Sequence, residues 1–284
     1  MIKNTRVALL GLFFGCLLSS NAEAQILKNI GKKLEKKAEE VIDRSLDKAT
    51  AEKTTSNTSN PEVSGSAKNK QQGPFKNIAA LPNDFVRGEE VIFFDDFSKD
   101  VLGKMGAHWT SNGTGSVKEV EGFEGNWLQL NHFNTYKIKD LFRIPENFTL
   151  EFDVLTLAES NDKIQLNFGF DYNKGVGEHY FLAYQNPVNV NASFRFNRFE
   201  FNSSEVQPKK KSEIEANMSY FINDVMKVKL MISGNRMHAY VNNFKILDTE
   251  MIDPMTRKYF YLALENEDNA GEVYISNVKM TKLN

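Results

Sequence analysis

Phe148-Thr149-Leu150-Glu151-Phe152-Asp153-Val154 alternates apolar and polar side chains without a break. A period of two places Phe148, Leu150, Phe152 and Val154 on one face of a strand, and Thr149, Glu151 and Asp153 on the other. The same rhythm returns downstream. Ile164, Leu166, Phe168, Phe170 and Tyr172 alternate with Gln165, Asn167, Gly169 and Asp171. Met226, Val228, Leu230 and Ile232 alternate with Lys227 and Lys229. Gly234-Asn235 and Asn242-Asn243 divide 226–249 into a three-strand meander, because Gly and Asn tolerate the positive φ of tight turns. Further strands are expected near 91–97, 115–120, 126–131, 135–138, 179–185, 194–201, 259–265 and 272–281. Many antiparallel strands, each with one apolar face, bury those faces only by packing as two sheets. The reading is all-β: an antiparallel two-sheet sandwich over 75–284.

Upstream of this domain the pattern changes. Lys3 and Arg6 precede an apolar run, Val7 to Leu18, and Ala22-Glu23-Ala24 forms a small-x-small cleavage site. This reads as a signal peptide over 1–24 with Gln25 as the mature start. Twelve apolar residues are too few for a bilayer, which needs about 20 in a helix. Phe13-Phe14-Gly15-Cys16 loosely resembles a lipoprotein box, but two Phe stand where a Leu and a small residue are usual. Cys16 is therefore read as one more apolar residue of the signal, leaving the mature chain without cysteine. Residues 25–49 carry apolar side chains at spacings of three and four, an amphipathic helix that docks on its own domain or self-associates through 26–49. Residues 50–74, rich in Ser, Thr, Asn and Gly, read as a flexible linker.

Composition removes several functions. The chain of 284 residues has a formal net charge of −2, so no global field favours nucleic acid. One Cys excludes a disulfide framework and a Cys-based zinc site, and the four His are dispersed. No Gly-x-Ser-x-Gly is present, and no Gly-rich loop leads into a helix.

Phe93-Phe94-Asp95-Asp96-Phe97 followed by Trp109, then 148–154, Val228-Lys229-Leu230 with Tyr240-Val241-Asn242, and Val273-Tyr274-Ile275-Ser276-Asn277-Val278 occur in that order over about 90–281. In this order they resemble concanavalin A-like and laminin-G-like jelly-roll domains. The helix, linker and sandwich order is similar to the front part of outer-membrane-protein-A-like envelope proteins, without their C-terminal peptidoglycan-binding domain. Within the jelly-roll resemblance, laminarinase-type glycoside hydrolases use Glu-x-Asp-x-x-Glu. Glu151 and Asp153 match the first two places, and Thr156 stands where the acid/base belongs. A hydroxyl cannot protonate a leaving group near neutral pH, so a binding or structural role is expected rather than hydrolysis.

Candidate ligand residues follow from strand geometry. If 148–156 and 162–172 are neighbours, Glu151, Asp153, Gln165, Asn167 and Asp171 share one polar face, suited to a shallow groove for a glycan. As Glu151 lies opposite Phe152, replacing it is expected to cost less than about 0.5 kcal/mol. Asp95 and Asp96 offer hard oxygens to a structural calcium, though adjacent strand residues point to opposite faces, so at most one serves without loop ligands. No other cofactor is expected. Trp109 and Trp127 are assigned to the core. Phe194, Phe196, Phe199 and Phe201 skip a beat at Asn197-Arg198, which a bulge explains while keeping four rings inward. Lys209-Lys210-Lys211 reads as an exposed loop tip. The expected protein is an exported, non-catalytic module of the cell envelope or exterior, periplasmic, outer-membrane-associated or extracellular, with a glycan or envelope protein as partner.

Overall fold

A computed structural model describes residues 73–75, 83–140, 142–160, 163–176, 186–265 and 271–284. The signal peptide, the helix of 25–49, nearly all of the 50–74 linker and the strand expected at 179–185 lie outside the described residues.

In chain order the strands are β1 (Glu90–Asp95), β2 (Trp109–Ser111), β3 (Gly115–Val120), β4 (Phe123–Leu130), β5 (Asn134–Ile138), β6 (Phe148–Leu157), β7 (Gln165–Asp171) and β8 (Val188–Ser193). They continue as β9 (Arg198–Ser203), β10 (Lys210–Glu215), β11 (Asp224–Ser233), β12 (Arg236–Val241), β13 (Phe244–Glu250), β14 (Tyr259–Leu264) and β15 (Glu272–Lys282). One sheet has the order β13-β12-β11-β6-β15-β4-β3, with β1 also paired to β15. The second has the order β10-β9-β8-β7-β14-β5-β2. Every pairing of these strands is antiparallel. β15 sits between β4 and β6 in one sheet, and β14 sits between β5 and β7 in the other. The sheets thus carry matching interleaved orders, the wrapping of a concanavalin A-like sandwich.

The alternation read from sequence is the cause of this packing. Phe148, Leu150, Phe152 and Val154 of β6 face Leu166, Phe168 and Phe170 of β7 across the core. Phe152 meets Phe168 with centroids 5.2 Å apart, and Phe148 meets Phe170 at 5.5 Å, both edge to face. Full burial of each such ring is worth about 2–3 kcal/mol, and the edge-to-face contact adds about 1 kcal/mol. Trp109 and Trp127 are both buried. The expected meander is β11-β12-β13, with Gly234 at φ 57° and Asn242 at φ 53° in its turns. Among the described residues, the first packed ring is Phe75, buried against Phe199, Phe221 and Phe244.

Two local expectations are corrected. The skipped beat at 194–201 is a chain reversal, not a bulge: Ser193 of β8 pairs with Arg198 of β9, and Phe194–Asn197 form the turn between them. Asn197 takes φ 53°, and its N–H donates to Phe194 O at 3.2 Å. Phe194, Phe199 and Phe201 are buried, but Phe196 at the turn is half exposed. Lys210 and Lys211 belong to the edge strand β10 rather than to a loop tip. Lysines along an unpaired edge oppose its pairing with another chain.

Candidate functional site

β6 and β7 are in opposite sheets, so the single polar face expected from Glu151, Asp153, Gln165, Asn167 and Asp171 does not exist. Because their inward neighbours meet across the core, the polar residues of each strand point away from the other sheet. Glu151 and Asp153 lie on the outside of the eight-stranded sheet. There the extended segment Asn83–Glu89 crosses the strands like a strap. Asp84 accepts from Tyr240 Oη at 2.6 Å and from Lys245 Nζ at 2.9 Å. Phe85 packs on Tyr240 and under Lys229. Arg87 forks onto Glu151, Nε to Oε1 at 2.5 Å and Nη2 to Oε2 at 2.7 Å, and Gly88 N–H donates to Thr281 Oγ1 at 3.0 Å.

Glu151 is therefore buried in a bidentate ion pair, flanked in register by Lys229 and Lys279. Asp153 is half-buried, lies opposite Lys227, and accepts from Asn277 Nδ2 at 2.9 Å. β6 pairs with β11 over 148–156 in unbroken register, so Thr156 shares the inner face with Val154 and is buried. The third hydrolase position thus lacks an acid and faces the wrong side. Glu159 is exposed beyond the strand end.

Gln165, Asn167 and Asp171 lie on the outside of the seven-stranded sheet, in a polar layer shared with β8 and β14. Tyr261 Oη donates to Asn189 Oδ1 at 2.5 Å, and Asn189 Nδ2 donates to Asn167 Oδ1 at 3.1 Å. Asn167, Asn189 and Tyr261 are fully buried. Burial, the largest effect, pushes the Tyr261 hydroxyl pKa far up and raises that of Glu265. Asp171 accepts from Lys137 Nζ at 2.5 Å, and the same ammonium donates to Asn173 O and Gly175 O, each at 2.7 Å. That buried lysine ties the 172–176 turn to the sheet.

Asp95 and Asp96 both work within the chain. Asp95 is buried and accepts from Phe97 N–H and Trp109 Nε1, both at 2.9 Å. Asp96 accepts from Ser98 N–H at 3.0 Å and Ser98 Oγ at 2.6 Å. Both Asp95 oxygens are thus engaged by N–H donors. No group of three or more His, Cys, Asp or Glu side chains able to hold a metal occurs among the described residues.

A larger opening than those beside Glu151 or Asp95 lies elsewhere, at one end of the sandwich, with a volume of about 840 Å³. Its walls are the loop before β6, the turn after β7 and the loop before β14. Phe142, Tyr259 and Met255 give it apolar surface, and Arg143, Lys174 and Arg257 give it polar ends. Each wall is braced from behind. Phe142 stacks on Phe93 with centroids 5.7 Å apart and an 18° interplanar angle. Lys137 holds the turn that carries Lys174. Glu205 Oε2 accepts from Asp253 N–H at 2.6 Å, and its Oε1 accepts from Thr256 Oγ1 at 3.2 Å. Lys258, buried in the floor, donates to Asp253 O at 2.6 Å, Thr256 O at 2.9 Å and Thr256 Oγ1 at 3.2 Å. Burial pulls its ammonium pKa down, opposed by Glu205, Asp253 and Glu146, and burial raises that of Glu205. Aromatic faces beside guanidinium, hydroxyl and ammonium donors suit a ligand with both C–H surface and hydroxyls. Sequence reading missed this cleft because its residues come from three loops, which have no periodicity to betray them.

No family model matches the chain, and no curated protein matches it. Among solved structures it is similar to the carbohydrate-binding module CBM66 from Bacillus subtilis, with 12% identity over 62% of this chain and 96% of that one and a TM-score of 0.42. It is similar to arcelin-5, a lectin-like defense protein from Phaseolus vulgaris, with 13% identity over 66% and 95% and a TM-score of 0.46. It is also similar to part of a sialidase, with 15% identity over 69% of this chain and 19% of that chain and a TM-score of 0.45. At these identities and TM-scores the likenesses carry no functional argument.

Proposed function

We propose that the sandwich is a non-catalytic saccharide-binding module, exported by the signal peptide read at 1–24 and carried on the helix and linker of 25–74. The observation that supports it is the braced cleft of about 840 Å³. A sugar ring has apolar C–H faces and an equatorial belt of hydroxyls. Phe142 and Tyr259 match the first, and Arg143, Arg257 and Lys174 match the second. Hydrolysis would need a paired acid and base across the scissile bond. Glu151 is instead clamped by Arg87 beneath the strap, with no acid at Thr156.

The test is retention of the full-length protein on a panel of polysaccharides, followed by a reducing-end assay on each retained one. The reading expects retention without new reducing ends, and loss of retention in Tyr259→Ala. Reducing ends that vanish in Glu151→Gln would establish the hydrolase reading instead.

A further inference from the structure

Among the described residues, the cleft is lined by four cations, Arg143, Lys174, Arg257 and Lys258, and by one carboxylate, Glu146. Among the described residues, no carboxylate forms an ion pair with any of the four. Arg257 Nη1 has one long contact, 3.4 Å to Tyr259 Oη. Lys258 is buried with carbonyl and hydroxyl acceptors only. The acids behind the wall are already occupied. Glu205 spends both oxygens on Asp253 N–H and Thr256 Oγ1, and Asp253 Oδ1 accepts from Met255 N–H at 2.9 Å. Such an arrangement differs from the outside of the eight-stranded sheet, where Glu151 and Asp153 lie among the cations. Here Arg143, Lys174 and Arg257 line the opening without a carboxylate ion-pair partner, while Lys258 lies in the field of Glu205, Asp253 and Glu146. Two guanidinium groups at one mouth suit a planar or tetrahedral oxyanion, which they engage through paired N–H donors.

We propose that the cleft takes an acidic saccharide, one whose carboxylate, sulfate or phosphate oxyanion sits between Arg143, Arg257 and Lys174 while its ring lies against Phe142 and Tyr259. The proposal rests on the reading of the cleft as a saccharide site and names the class of sugar that fills it. A neutral sugar would leave the mouth cations without partners, whereas an oxyanion forms charge-assisted hydrogen bonds with them. Affinity then falls as salt rises, since the contacts are partly exposed.

The experiment measures binding of the full-length protein to polygalacturonate, dextran sulfate, a phosphorylated mannan, fully methyl-esterified polygalacturonate, unmodified dextran and unmodified mannan. The first three separate carboxylate, sulfate and phosphate. The expected result is binding to at least one acidic polymer, about tenfold or more tighter than to its neutral counterpart, a gap of at least 1.4 kcal/mol. Arg143→Gln/Arg257→Gln and, separately, Lys174→Gln should weaken that binding at unchanged melting temperature. Lys227→Gln, on the distant sheet face, should not. Equal affinity for neutral and acidic polymers overturns this proposal but leaves the saccharide reading intact. Equal loss in Lys227→Gln and the cleft variants marks a diffuse charge effect and also overturns it. Failure to bind any of these polymers or any polysaccharide of the wider panel overturns both.

Discussion

Glu151 shows how a single contact changes the meaning of a residue. Read from the alternation it is a solvent-facing carboxylate; in the fold it is buried and forked by Arg87. The expectation of a nearly neutral substitution is therefore corrected. Glu151→Gln removes the charge from a bidentate pair and leaves Arg87, Lys229 and Lys279 around a neutral amide. It should cost about 1–2 kcal/mol in urea denaturation, in line with charge-assisted hydrogen bonds, without changing saccharide retention. Asp84, at the other end of the strap, provides a pH signature. Its hydrogen bonds from Tyr240 and then Lys245 hold its pKa down to about 2. A carboxyl whose folded pKa lies below its unfolded value stabilises the fold above the unfolded pKa. That stabilisation is lost as pH falls through the folded one. The strap's contribution should thus persist at neutral pH and decline between about pH 4 and pH 2. Stability curves of wild type and Asp84→Asn should converge over that window; parallel curves would show that Asp84 does not titrate with unfolding.

At the scale of the element, the turn Phe194–Asn197 carries a sharp expectation. Asn197 holds φ 53°, and its Oδ1 accepts from Met218 N–H at 3.1 Å. Asn197→Gly keeps the backbone and loses the side-chain bond, whereas Asn197→Ala loses the bond and adds about 1 kcal/mol of left-handed strain. Melting temperatures should rank wild type, then Gly, then Ala; an alanine variant as stable as glycine would contradict the assigned turn. The same segment shows what sequence makes legible. Period two reported correctly which side chains face inward in β6, β7 and β11, because one buried face is all that alternation encodes; in β15 an irregularity between Ser276 and Lys279 breaks the alternation. It did not report which sheet each strand joins. Both sheets bury the same kind of face, and the chain from Leu157 to Gln165 crosses from one to the other. That is why Glu151 and Asp153 were grouped with Gln165, Asn167 and Asp171. Nor did alternation distinguish a bulge from a reversal at Asn197-Arg198, since both shift the pattern by a residue.

On the scale of the whole molecule, the outsides of the two sheets and the loop end divide the labour. The eight-stranded sheet is crossed by the strap, and the seven-stranded sheet carries a buried amide and hydroxyl layer. The first is satisfied largely by the chain itself, whereas the second, among the described residues, leaves Asn167 Nδ2, Asn191 Oδ1, Ser193 Oγ and Glu265 Oε1 buried without a hydrogen-bond partner. Among the described residues, the loop end joins a large opening, aromatic surface and three cations without carboxylate ion-pair partners. Loops that combine these features on a rigid sandwich are where a binding site is expected. The central claim is that saccharide is bound there and not beside Glu151. Hydrogen exchange of the full-length protein, with and without a polysaccharide that retains it, tests this directly. The account predicts slowed exchange in 142–146, 172–176 and 254–259 and unchanged exchange in 83–89 and 148–156. Protection centred on the strap and β6, with the loop end unchanged, would contradict it.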